Sequence, residues 1–274
     1  MKFHLNIVAL KFLTLALAVS APFAAQAHRA FLLPSSTVTA ANAPWITVDA
    51  AVASDMFYLD HMPLRLDSLK IIAPDGSVIK EENANTSKLR STFDLRLATA
   101  GTYKLSILND NVMASYKDKG TPKRWRGLAD NMSKEIPADA EELQVTQAQA
   151  RIDTFVTSGK PSTKSLEITG KGLEMQAISH PNDLVAGEKA NFRMMLDGQP
   201  AAKIQVSVIL GGIRYRQKLD EQLLTTDADG KFTINTANAG MYWLEATVKD
   251  DKATVKGAKE RRASYVATLE VLPQ

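Results

Sequence analysis

Only three histidines follow residue 27, namely His28, His61 and His180, and the chain has no cysteine. Imidazole is the commonest transition-metal ligand where no thiolate is present, so metal chemistry would have to start at these positions. His28 follows Ala25-Gln26-Ala27, the kind of small-residue ending that a signal peptidase cuts. Cleavage after Ala27 makes His28 the first residue and sets a free α-amine beside its imidazole, which is a chelating pair. The amine titrates at about 7.7 and is partly deprotonated near neutral pH. One more imidazole completes a three-nitrogen set that suits Cu(II), with Ni(II) next. His61 is the candidate for that role.

Plainer readings stand beside this one. A histidine after a cleavage site also arises simply where the cut falls, and His61, in Tyr58-Leu59-Asp60-His61-Met62-Pro63, also reads as an exposed loop residue. Asp60 could orient the imidazole as a hydrogen-bond acceptor. Met56 and Met62 carry soft thioethers that suit Cu(I), and packing is the commoner use of methionine. His180 lies in Ser179-His180-Pro181-Asn182-Asp183, whose Pro and Asn mark a turn. Lys123-Arg124-Trp125-Arg126 could bind an anion or anchor a partner through Trp125, or form a solvated loop. Asp227-Ala228-Asp229-Gly230 lacks the remaining ligands of a calcium loop and reads as a hairpin turn. Gly-x-Ser-x-Gly, His-Glu-x-x-His and glycine-rich phosphate loops do not occur, so hydrolase and nucleotide-dependent chemistry have no motif here.

The elements that must position these residues begin after an export signal. Met1–Ala27 has Lys2 and Lys11 ahead of an apolar run from Phe12 to Val19, too short to span a bilayer comfortably. Taking Lys2 and Lys11 from the 33 Lys and Arg leaves 31 against 30 Asp and Glu, a charge of +1, which gives no support for nucleic acid. No later segment is apolar enough to cross a membrane, so a soluble periplasmic protein is expected. Without cysteine there is no lipoprotein anchor and no disulfide frame. The remaining 247 residues suffice for one large all-β unit or two ordinary domains.

Short alternating runs with β-branched and aromatic residues, such as Trp45–Ala50, Phe93–Leu97 and Tyr103–Ile107, predict half-buried strands. Phe93–Leu105 aligns without a gap on Phe232–Leu244, with Phe, Ala-Gly and Tyr at the same spacing. In each copy a strand ends, the chain turns at Ala-Gly, and a Tyr starts the next strand, much as in the tyrosine corner of immunoglobulin-like sandwiches. The expected fold is all-β, with two tandem immunoglobulin-like or carboxypeptidase-regulatory-like β-sandwiches, at 28–160 and 161–274. A loop or short helical insertion at about 117–150 separates them, with helix-forming residues at 139–151. Ser158-Gly159-Lys160-Pro161-Ser162 reads as the linker.

The order of motifs resembles a known family. His28-Arg29-Ala30-Phe31-Leu32-Leu33-Pro34, Leu173-Glu174-Met175, His180–Glu188, Leu196-Asp197-Gly198-Gln199-Pro200, Thr226–Phe232 and Gly240-Met241-Tyr242-Trp243-Leu244 are similar to domain-of-unknown-function family 4198 across essentially the whole mature chain. That family is broadly described as the periplasmic component of nickel/cobalt transport systems. The resemblance implies a divalent transition metal, nickel, cobalt or copper, held by His28 with His61 as a second histidine, and a membrane transport complex as partner. The relatives hold their histidine at the second position of the processed chain. A first-position histidine makes a two-nitrogen chelate instead, which favours copper or leaves the metal open. No enzymatic activity is expected. The alternative is a non-catalytic structural or partner-binding module of the cell envelope, and a copper-dependent oxidase ranks last because no substrate-groove motif is visible.

Overall fold

Alternation is the reason these segments pair as strands. In Ser91–Arg96 the residues Ser91, Phe93 and Leu95 are buried while Arg96 faces solvent, the period-2 pattern of a strand with one face on a core. A computed structural model describes residues 28–274, and the expected signal segment and its cleavage point after Ala27 lie outside the described residues. Strands are nearly the whole of the regular structure in the described chain, beside one seven-residue α-helix, Ala129–Glu135, and two single 3-10 turns.

Three sheets form three layers. The central sheet has ten strands, ordered Gln222–Thr225, Gln205–Leu210, Gly240–Asp250, Glu260–Val271, Glu141–Ser158, Gly101–Asp118, Leu69–Ile72, Val78–Ile79, with Thr121–Gly127 and Val38–Thr39 on side branches. Glu141–Ser158 runs antiparallel to Gly101–Asp118 on one side and parallel to Glu260–Val271 on the other. The sheet therefore continues from the first half of the chain into the second without a break at Pro161. Its two faces bury different cores, because neighbouring residues of a strand point to opposite faces. Ile107, Ile152 and Val266 lie in one register row and pack, with Ile209 and Trp243, on Phe31, Val48 and Phe93 of a five-stranded sheet. Phe155, Leu244, Tyr265 and Ala267 face the other way, onto Met175, Phe192 and Ile234 of a four-stranded sheet. The fold is two β-sandwiches that share their middle sheet.

The internal repeat has a structural meaning. Tyr103 donates its hydroxyl to Thr99 O at 2.8 Å, and Tyr242 donates to Asn238 O at 2.8 Å. Both reach back four residues across the Ala-Gly turn, where Gly101 (φ 131°) and Gly240 (φ 139°) take up a backbone that L side chains rarely adopt. Each sandwich thus has its own tyrosine corner. Asp227 likewise closes a hairpin turn, accepting from Asp229 N at 2.9 Å and Lys231 N at 2.8 Å.

The segment between the repeats differs from the expectation. Residues 139–151 have helix-forming composition, but Glu141–Ser158 is an 18-residue strand and the helix lies upstream at Ala129–Glu135. Flanking ladders on both sides satisfy the backbone of Thr146–Thr154, and that outweighs a weak local helix preference. Together with Gly101–Asp118 and Thr121–Gly127 it forms an arm with a small core of Val112, Ala114, Ile136 and Val145. Trp125 packs on that core and donates its indole N–H to Glu135 at 2.8 Å, so it is a structural residue rather than a free anchor.

Candidate metal centre

His28 precedes the strand Arg29–Pro34, and His61 precedes the two-residue strand Met62–Pro63. Both strands pair with Trp45–Ala53, from opposite sides, near its end: Arg29 faces Ala53 and Met62 faces Val52. Two residues 33 positions apart are thereby brought to one sheet corner. Their imidazoles stack, with ring centroids 3.7 Å apart and an interplanar angle of 15°, and both residues are exposed.

The corner is tied down on several sides. The Asp60 carboxylate accepts from Ser54 N at 2.9 Å and Asp55 N at 3.4 Å, closing the loop that ends in His61. Asp60 is therefore a backbone cap, and its expected part in orienting an imidazole has no counterpart in the geometry. Met56 is buried in the first core, leaving Met62, 47% exposed, as the accessible thioether beside His61. Phe57 sits edge-on to Phe31 at 5.3 Å. The second half contributes too. Trp243 donates its indole N–H to Ala30 O at 2.9 Å, the Arg29 guanidinium lies 5.5 Å from the same ring, and Arg29 Nη1 reaches Ser54 O at 3.4 Å. Arg214 stacks 3.7 Å over Tyr58. Sequence reasoning missed Trp243 and Arg214, and the Gly211-Gly212 pair was the available signal. A Cβ on Gly211 would come within 2.7 Å of the Phe57 ring, so a glycine is needed where the two loops meet.

The donor set limits the chemistry. Ring nitrogens bind a metal along lone pairs in the ring plane, and two nearly parallel rings 3.7 Å apart do not aim those lone pairs at one point. Rotation of these exposed side chains is required before both could ligate one ion. Among the described residues no group of three or more His, Cys, Asp or Glu side chains is placed to hold a metal. Beyond these residue types, the His28 main chain and the exposed Met62 thioether are further donors at this corner.

His180 is elsewhere and has other work. Its Nδ1 accepts from Asn182 N at 3.2 Å, which leaves the ring proton on Nε2 to face Thr102 Oγ1 at 3.0 Å and Ser162 O at 3.2 Å. It joins a hydrogen-bonded group with Thr157 and Asn182 under the linker.

Residues 25–250 match the family model described as "Domain of unknown function (DUF4198)". The chain belongs to this DUF4198 family. No curated protein matches it. Among solved structures, the D0-D1 domain of intimin is 13% identical with a TM-score of 0.23, covering 88% of this chain and 97% of that one. The human OSCAR ligand-binding domain is 12% identical with a TM-score of 0.20, covering 89% and 100%. The fibronectin(III)-like modules of Clostridium thermocellum CbhA are 13% identical with a TM-score of 0.20, covering 89% and 95%. At these values none of them bears on what this DUF4198 member does. No helix among the described residues is long and apolar enough to cross a membrane.

Proposed function

We propose that this DUF4198 protein is exported to the periplasm and binds a divalent transition metal, copper, nickel or cobalt, as cargo for a membrane transport system, without catalysing a reaction. The observation that supports this reading best is the stacking of His28 on His61 at 3.7 Å. Two of only three histidines beyond residue 27 meet at an exposed corner, and cleavage after Ala27 would add the His28 amine as a third nitrogen. Such a set suits Cu(II) above Ni(II).

The test begins with amino-terminal mass spectrometry of the exported form, followed by calorimetric titration with Cu(II) and Ni(II). The expected result is a chain that starts at His28 and binds about one ion with all three nitrogens engaged. A glycine placed before His28 is expected to abolish tight binding, because the chelating amine is then lost. A different first residue, or equal affinity with the added glycine, would overturn the reading.

The alternative is a non-catalytic partner-binding module. It is favoured by Tyr58 and Tyr215, 47% and 85% exposed, on the two loops joined by Arg214. Capture of an envelope partner in the presence of a strong chelator would favour it over metal delivery.

A further inference from the structure

Basic residues gather on one short segment of a chain whose charges otherwise nearly balance. Between Ser115 and Gly127 stand Lys117, Lys119, Lys123, Arg124 and Arg126, with Asp118 as the one acidic residue. The paired strands Gly101–Asp118 and Thr121–Gly127 carry them on a hairpin of the arm. Register then sorts them by face. Trp125 and its partner Ala114 belong to the small arm core, so Arg124 and Arg126, the neighbours of Trp125, point to the opposite face.

That opposite face has no layer over it. The five-stranded sheet covers this side of the central sheet as far as the row of Ile107, Ile152 and Val266. Further along come Asn111, Met113 and Ser115, beside Ala148, Thr146 and Gln144 of the next strand, and none of these is buried. Cations flank this floor on both sides. Arg126 pairs with Met113 and Arg124 with Ser115 at one edge, while Arg262 pairs with Ala148, and Lys249 with Arg262, at the other. All four cations are exposed. Three strand spacings of about 4.8 Å separate Arg126 from Arg262, so the charges spread over about 14 Å.

Nearby carboxylates leave most of this charge unmet. Lys249 pairs with Glu260 at 3.5 Å, and Lys117, nearer the hairpin tip, pairs with Glu142 at 2.5 Å. Arg124, Arg126 and Arg262 have no carboxylate partner among the described residues. The helix Ala129–Glu135 brings Asp130 and Glu135, but it packs through Met132 on the arm core, away from this face. Leu128 follows the hairpin with an extended backbone (φ −76°, ψ 149°) and is 59% exposed.

Shape narrows the choice of partner. A bound peptide sits in a groove or on a free strand edge, and single-stranded nucleic acid stacks its bases on aromatic rings. Here the floor is an open sheet face, and the aromatic residues of the hairpin, Tyr116 and Trp125, pack on the core at its back. Separate arginines on an open surface suit the separate phosphates of a bilayer, and an exposed leucine beside them suits the headgroup boundary. We propose that this face of the arm docks on an anionic phospholipid surface through Arg124, Arg126, Arg262 and Lys249, with Leu128 at the boundary. The inference does not rest on metal binding at the His28 corner.

The experiment is co-sedimentation of the mature chain with vesicles of phosphatidylglycerol and phosphatidylcholine in equal parts, and with phosphatidylcholine alone. Two variants are compared with the parent: Arg124→Gln/Arg126→Gln, and Lys88→Gln/Lys160→Gln, which removes the same charge from exposed positions off this face. All four side chains are exposed, so both variants keep the fold. The mixed vesicles are expected to bind the parent and the lysine variant alike and to hold them against polyglutamate of matched charge. Salt at about 0.5 M releases them, and the arginine variant binds at least about tenfold more weakly. The proposal is overturned by no binding to the mixed vesicles at low salt, by equal binding to phosphatidylcholine alone, by equal binding of the arginine variant, or by an equal loss in the lysine variant. Full release by polyglutamate would also overturn it and assign the face to an acidic protein segment.

Discussion

The indole N–H of Trp243 donates to the carbonyl of Ala30, 213 residues earlier in the chain. It joins the last third of the sequence to the strand that begins one residue after His28. The bond exists because Trp243 points to the first-core face of the shared sheet. Trp243→Phe keeps a ring in the core and leaves Ala30 O without its donor. Chemical denaturation is expected to show a loss of about 1–2 kcal/mol. Unchanged stability would mean that water replaces the indole.

His61→Ala removes the second imidazole and is expected to weaken Cu(II) binding at least about tenfold, the scale of one lost ligand interaction. His180→Ala is expected to leave the affinity unchanged and to lower thermal stability, because His180 bonds Thr102, Ser162 and Asn182 rather than the corner. Titration of the two variants side by side separates a metal ligand from a structural histidine.

Gly211→Ala places a methyl group 2.7 Å from the Phe57 ring. Phe57 and the loop ending in His61 must then shift. We expect destabilisation of about 1–3 kcal/mol, typical of overpacking, read from the unfolding midpoint. A variant as stable as the parent would show that the two loops separate freely.

Arg261 is buried and joins two carboxylates, Asp250 at 2.6 Å and Asp197 at 2.8 Å. Hydrogen bonds from the guanidinium hold both carboxyls below the usual range for aspartate. Groups whose folded pKa is depressed contribute stability that is fully present above the unfolded value of about 3.9 and is lost as pH falls through the folded values. The unfolding midpoint is expected to drop steeply with acid below about pH 4. Arg261→Met should lower the midpoint most at neutral pH, with the gap to the parent closing in acid. A gap that stays constant with pH would place the effect in packing alone.

Tyr103→Phe and Tyr242→Phe each remove a corner hydroxyl and leave the ring. Losses of about 1 kcal/mol each are expected from denaturation. Because the two corners lie in different sandwiches, the double variant should lose the sum. A strongly non-additive result would show that the shared sheet couples them.

Local spacing carried much of this. The alternation of Trp45–Ala53 and Phe93–Leu97 and the Phe, Ala-Gly, Tyr repeat depend on neighbours a few residues apart, so strands, all-β class and both tyrosine corners were legible. Residues 141–150 were not, because a strand held by ladders on both sides needs little β preference of its own. Asp60 was misjudged for a similar reason: the backbone N–H groups of Ser54 and Asp55, free in an open chain, claim its carboxylate once the loop closes.

The sequence by itself determined the scarcity of ligands: no cysteine, three histidines beyond residue 27, and one of them behind a cleavage signal. Only the tertiary structure decided that His28 and His61 meet while His180 does not. Strand register brings His28 and His61 from both sides to one end of Trp45–Ala53, and no spacing along the chain encodes which strands will lie beside it. The sharing of one sheet by two sandwiches was equally beyond a linear reading, because the parallel pairing of Glu141–Ser158 with Glu260–Val271 joins segments about a hundred residues apart.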